Sequence, residues 1–285
     1  SCQYVPEILY TYDFTRGRFI DKGFTVDDII SRASVLLQWD LGKKPQLQIV
    51  MNGDENEITI GMSHILTDGE GFLQYLYLLA SLYNGQPPSF PLENSRDISP
   101  VLRNVHIGRP TEQTWRQRHI TVPPLRADSN GKLYFCLRSR IGPKDFSVLY
   151  IKSKKQNVTL NDIFITAYAR VISRLHKIHT IVIPCPADLR GFSSMSDKLS
   201  IANMTGIYRK IVVEIKPQHS FHETLLQVHI EMQLQKSRYR CFVGIRPLDY
   251  LFHKIPPPVM AQIIKWAYRL FPVSYTNFGR INHTK

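Results

Sequence analysis

Hydrophobic positions along this chain switch between two spacings. At Ile58, Ile60 and Met62 every second residue is apolar, which predicts a strand with one face on a core. From Phe72 the apolar positions become Leu73, Leu76, Leu79, Leu82 and Tyr83, which predicts a helix stopped by Asn84-Gly85. The switch falls within Gly61-Met62-Ser63-His64-Ile65-Leu66-Thr67-Asp68-Gly69. A histidine and an aspartate therefore sit where a strand gives way to a helix, flanked by glycines that let other atoms approach closely.

The same patterning predicts further elements. Residues 4–12 read as a strand, and Thr25-Val26-Asp27-Asp28 as a capping box that opens a helix to about Gln38. Residues 45–51 and 57–62 read as an antiparallel hairpin around the turn-rich Asn52-Gly53-Asp54-Glu55-Asn56. Prolines from Pro87 to Pro100 mark a linker, followed by a basic, loop-like stretch over 107–131. Next come a strand over 132–141 and a helix over 143–155. Thr159-Leu160-Asn161-Asp162 is a second capping box, ahead of a helix with Ile163, Phe164, Ala167, Tyr168, Val171, Ile172 and Leu175 in register. A short buried strand over 180–184 precedes the turn Pro186-Ala187-Asp188-Leu189-Arg190-Gly191. The rest reads as a strand over 207–215, a long helix over 220–240, a helix over 256–271 opened by prolines, and a strand and turn over 273–279.

Composition bounds the answer. With 285 residues, 43% hydrophobic and 21% charged, the chain can bury one large core or two smaller ones. No repeat period is visible, and no apolar run is long enough for a transmembrane helix. Ser1-Cys2-Gln3-Tyr4 does not open a signal peptide. Cys2, Cys136, Cys185 and Cys241 lack paired spacing, so they read as reduced thiols of a cytoplasmic protein. The net charge of +13 is spread along the chain and accompanies no helix-turn-helix, zinc-finger or RNP pattern. A nucleic-acid partner is therefore not expected. A solvated basic surface accounts for the charge, and its functional version attracts coenzyme A phosphates or an acidic carrier protein.

The chemistry on offer at the switch is proton abstraction. Histidine titrates near neutrality, so His64 can serve as a general base without heavy tuning. Asp68 can fix the loop by pairing with an arginine elsewhere. Beside that stands the plain reading, in which a histidine near an aspartate only holds structure. A metal site is not expected: nothing nearby supplies further ligands.

The segment His64-x-x-x-Asp68-Gly69, after an alternating strand and before an apolar helix, resembles the active-site motif of the chloramphenicol-acetyltransferase-like superfamily. That superfamily takes in peptide-synthetase condensation domains, polyketide-associated acyltransferases, wax-ester synthases and alcohol acetyltransferases. Four further stretches follow in the superfamily's order. They are Thr159 to Asp162, Pro186-Ala187-Asp188-Leu189-Arg190, Ala202-Asn203-Met204 ahead of a strand, and Ser274 to Gly279. The resemblance covers residues 25 to about 281 and is nearest to the alcohol-acetyltransferase and polyketide-associated types.

The resemblance implies an α/β fold with a mixed sheet, in two stacked subdomains with a tunnel between them. Residues 1–92 would form the first subdomain, 93–130 a crossover and 131–285 the second. It implies an acyltransferase in which His64 deprotonates a hydroxyl or amine of a small acceptor, which then attacks an acyl thioester without an acyl-enzyme. The donor is acyl-CoA or a phosphopantetheine thioester, and no cofactor is held permanently. Asp68 is structural with Arg190 as its partner, and Gly69 leaves space. Ser63, Asn203, Thr276 and Asn277 either line the tunnel or support backbone. The oxyanion stabiliser, which acyl transfer requires, has no sequence signature here. Ser63 stands where many members carry a first histidine, the plant subgroup's Asp-Phe-Gly-Trp-Gly is missing, and elements usual at both ends are not seen. Two alternatives stay open: a carrier-protein-dependent condensation domain, and a non-catalytic interaction module of the same fold.

Overall fold

The computed structural model describes residues 11–13, 18–20, 45–52, 57–87, 94–105, 139–192, 199–252, 254–256, 258–260, 262–263 and 274–279. The readings over 25–38 and 107–131, with most of 4–12, 132–141 and 256–271, lie outside these residues.

Strands β1 (Thr11–Asp13) and β2 (Arg18–Ile20) pair antiparallel. Strands β3 (Leu47–Asn52) and β4 (Glu57–Met62) form the expected hairpin, with Ile49 opposite Ile60. Helix α1 (Gly69–Tyr83) starts earlier than its apolar pattern, because Asp68 is the N-cap and accepts the Gly71 amide at 2.9 Å. The short helix α2 (Ser99–Asn104) falls in the proline-bearing segment, and its Val101 and Leu102 join the main core.

Helices α3 (Pro143–Lys155) and α4 (Leu160–His176) form where the sequence places them, but the buried face of α4 differs from the expected one: Ile165 and Ala169 join Ile163 and Ile172 inside, whereas Val171 and Leu175 are exposed. The α4 capping box is complete: Thr159 Oγ1 accepts from the Asp162 amide, and Asp162 Oδ2 accepts from the Thr159 amide. Strand β5 runs over Thr180–Asp188, longer than the 180–184 expected from its prolines. Pro184 falls at a register shift between Ile183 and Cys185, where no ladder bond is asked of it. Pairing with β6 (Thr205–Glu214) then resumes through Asp188 opposite Thr205. Helix α5 (Phe221–Ser237) opens on a Ser220–Glu223 capping box. Helix α6 (Ile245–Phe252) was not visible in the apolar pattern.

The core lies where α4 and α5 pack on the β5–β6 hairpin. Ile165, Ala169 and Ile172 of α4 meet Ile181 and Ile183 of β5, Ile211 and Val213 of β6, and Val228 and Met232 of α5. The expected strand over 273–279 is not formed at 274–279. Tyr275 donates its amide to the Pro184 carbonyl at 3.3 Å, and Asn277 Oδ1 takes the Gly279 amide at 2.8 Å. Only the turn is there, with Gly279 at φ +73°. The molecule is thus a mixed α/β protein built on small antiparallel sheets.

Candidate active site

Strand β4 delivers His64. The Ser63 amide extends the β3–β4 ladder by bonding the Gln46 carbonyl at 2.8 Å. The Leu66 amide then bonds the Ser63 carbonyl at 2.9 Å, closing a turn that leaves His64 exposed. The chain dives inward at once: Thr67 and Asp68 are buried. The Thr67 hydroxyl donates to the Ala202 carbonyl at 3.3 Å, and the Asp68 amide reaches the same carbonyl at 3.2 Å.

Asp68 and Arg190 form a two-pronged ion pair, with Nη2 to Oδ1 at 2.9 Å and Nη1 to Oδ2 at 3.0 Å. Both are buried, Asp68 at 6% exposure and Arg190 at 3%. The carboxylate takes three more bonds, from the Gly71 amide, the Met204 amide at 2.8 Å and the Thr205 hydroxyl at 3.1 Å. The guanidinium also donates to Asp188 Oδ1, the Ser200 carbonyl and the Ala202 carbonyl. Burial works against the Arg190 charge, yet the Asp68 and Asp188 carboxylates outweigh it and raise its pKa. Glu70 has its pKa raised by desolvation first and by Asp188 second, against the pull of Arg190.

Two glycines are packed against this clasp. A Cβ on Gly71 would strike the Thr67 hydroxyl, lie 2.9 Å from the Ala202 carbonyl oxygen and 3.0 Å from Arg190 Nη2. A Cβ on Gly69 would strike the Phe278 ring, so the 274–279 turn reaches the His64 loop through an aromatic side chain.

The Asn203 amide nitrogen donates to the His64 carbonyl at 2.9 Å and lies 3.2 Å from His64 Nδ1. Asn277 donates to Asn161 Oδ1 at 3.3 Å, and Thr276 is exposed. The Ser63 hydroxyl faces the Ile65 amide at 3.4 Å. His64, Asn203, Asp68 and Arg190 are thus brought together; Gly69 meets the C-terminal turn through Phe278. Thr67, Gly71, Asp188, Thr205 and Phe278 were not singled out from sequence. Asp188 alone had a signal, two residues before Arg190 in the quoted turn.

No group of three or more His, Cys, Asp or Glu among the described residues could hold a metal. Cys185 and Cys241 are free and buried. Burial pushes the Cys185 thiol up to about 11, so it is a poor nucleophile. A surface groove of about 410 Å³ lies elsewhere, between β6 and α5, lined by Val212, Leu226 and Ile230 among others. None of the residues around His64 lines it.

Among solved structures, the chain is similar to the condensation domain of the monacolin K polyketide synthase MokA, with TM-score 0.51 and 12% identity over 88% of this chain. It is also similar to the epimerization domain of the third module of tyrocidine synthetase B, with TM-score 0.50 and 14% identity over 74% of this chain. The fold is that of a condensation domain. At such identities the likeness concerns the fold alone. The chain spans 58% and 53% of those two structures, little more than half of each. No family model matches it, and neither does a curated protein sequence. No helix among the described residues is long and apolar enough to cross a membrane.

Proposed function

We propose that this chain carries the site of an acyltransferase that moves an acyl group from a thioester to a hydroxyl or amine. The observation that carries the reading is the buried Asp68–Arg190 clasp four residues along the loop from an exposed histidine. Five donors fix one carboxylate, and the short loop they hold ends on His64. In this reading His64 takes the acceptor's proton, and the acceptor oxygen or nitrogen attacks the thioester carbonyl. The carbon–sulfur bond then breaks and the leaving thiolate receives the proton. Transfer is direct: both described thiols are buried, and burial raises their pKa.

Residues 1–92 and 131–285 are proposed as two stacked subdomains joined through 93–130, with a tunnel that brings donor and acceptor to His64. Ser63, Asn203, Thr276 and Asn277 are its proposed lining, and Gly69 keeps it open. The donor is acyl-CoA, drawn by a chain of net charge +13. The condensation-domain fold favours a second donor, an acyl group on the phosphopantetheine arm of an acidic carrier protein.

The test is thiol release with a panel of alcohols and amines, using acyl-CoA in one arm and acyl-loaded carrier protein in the other. Acceptor-dependent release is expected, reduced about 10²-fold or more in His64→Ala. Release from the carrier arm alone replaces the CoA donor with the second one. Release from neither arm, by a protein shown to be folded, overturns acyl transfer.

A further inference from the structure

We propose that Ile65 and Phe278 give the His64 loop an apolar contact that selects a substrate with an alkyl or aryl body, on the acyl group or on the acceptor. The proposal rests on the acyl-transfer reading above and names the kind of molecule the site takes. The Leu66 amide bonds the Ser63 carbonyl at 2.9 Å, so His64 and Ile65 are the central residues of a turn. Central turn positions favour Gly, Pro, Asn, Asp and Ser, and a β-branched apolar side chain suits them poorly. Ile65 is 65% exposed, so the core does not account for it either. It stands beside the exposed His64.

Phe278 comes to the same loop from the far end of the chain. Its ring packs against Gly69 and stays 45% exposed. It lies in the turn where Asn277 Oδ1 takes the Gly279 amide, and Asn277 also donates to Asn161 Oδ1 at 3.3 Å, which ties that turn to the start of α4. Single exposed apolar side chains are ordinary on a protein surface. Here two turns from distant parts of the chain each present one to the loop that carries His64. The charges nearest that loop are engaged with one another: Arg190 holds Asp68 with two bonds and Asp188 with a third. An alkyl or aryl group seated there would remove both apolar side chains from water, which is favourable and needs no directional partner.

The test is equilibrium binding of two dansyl-labelled alcohols to the full chain, one with a dodecyl chain and one with an ethylene-glycol chain of similar length. The wild type is expected to bind the dodecyl probe about tenfold more tightly or better. Ile65→Asp and Phe278→Ser are each expected to cut that preference about threefold or more, and the double variant to abolish it. Ile230→Ser is the control: it removes an isoleucine of 66% exposure from the groove between β6 and α5, and is expected to leave the preference intact. A wild type without preference, a preference that survives in the double variant, or one lost in Ile230→Ser would overturn the proposal. Chain-length series of donors and then of acceptors in the thiol-release assay locate the apolar group. A rate that climbs with acyl length puts it on the donor, and one that climbs with acceptor length on the acceptor; a rate that climbs with neither counts against the proposal. Binding needs no turnover, so its outcome is separate from any failure of acyl transfer.

Discussion

Two buried aspartates stand at the starts of two helices in this molecule, and they are treated differently. Asp68 caps α1, and Asp162 completes the capping box of α4. Asp68 faces a guanidinium, which carries its charge at every pH proteins meet, and takes five bonds in all. Asp162 takes the Thr159 amide and, at 2.8 Å, His229 Nδ1, while its Oδ1 has no partner among the described residues. Around it lie Cys185 and Tyr275, whose pKa values burial raises first and the Asp162 charge raises further. The aspartate beneath His64 is therefore bound by permanent charge. The one in the helical layer is bound by a backbone amide and an imidazole, with no guanidinium among its partners.

The largest expected break in this contrast is Arg190→Ala. It leaves Asp68 buried and uncompensated, at a cost of about 3–5 kcal/mol in chemical denaturation. Arg190→Lys is expected to recover little, because one ammonium cannot replace a fork that spans both carboxylate oxygens.

Alkali should single out the other region. Folding raises the Cys185 pKa from 9.0 to about 11 and that of Tyr275 from 10.0 to about 12. The unfolded chain releases these protons first, so their share of stability is whole below pH 9 and is lost as pH climbs through 11 and 12. For Cys185 that share is about 3 kcal/mol. Denaturation at pH 8 and pH 11 should show a steeper loss in wild type than in Cys185→Ala. Equal losses would remove Cys185 from the argument.

The smallest effects separate two neighbouring glycines. Gly71→Ala pushes against a backbone carbonyl and the guanidinium, which cannot withdraw, and should cost about 2 kcal/mol. Gly69→Ala meets only the ring of Phe278, which is 45% exposed and can swing out. Its cost should stay below about 1 kcal/mol and vanish in a Phe278→Ala background, measured as a double-mutant cycle.

Much of the scaffold was legible because its signals are local. Thr159-x-x-Asp162 specifies its own box, and the alternating run at Ile58 and Ile60 specifies its own hairpin. The start of α1 was hidden because Gly69 and Gly71 are poor helix formers, which masks a helix whose first turn is held by Asp68. The length of β5 was hidden because Pro184 reads as a terminator, yet it lands on a bulge that forgives a missing donor. At the site, His64 and Asp68 stood out by residue type at the strand-to-helix switch, and Arg190 was named through the family resemblance. The carbonyls of Ser200 and Ala202 could not be named, since a backbone acceptor has no residue identity to read. Phe278 was equally hidden, because its role depends on an empty volume over Gly69.

The clasp also bears on how the chain assembles. Asp68 and Arg190 are 122 residues apart, whereas β5 and β6 are neighbours in sequence. A contact that closes so long a loop gives nothing back until its ends have met, so local pairings form ahead of it. Arg190 points from the end of β5, and its partners Ser200 and Ala202 lie just before β6. The receptacle for Asp68 is thus complete only when that hairpin exists. Arg190→Ala should therefore speed unfolding and leave the refolding rate nearly unchanged in stopped-flow experiments. A chain still on its way to the native state has helices and a hairpin before the loop that carries His64 is clasped, so that loop is set only when folding is finished.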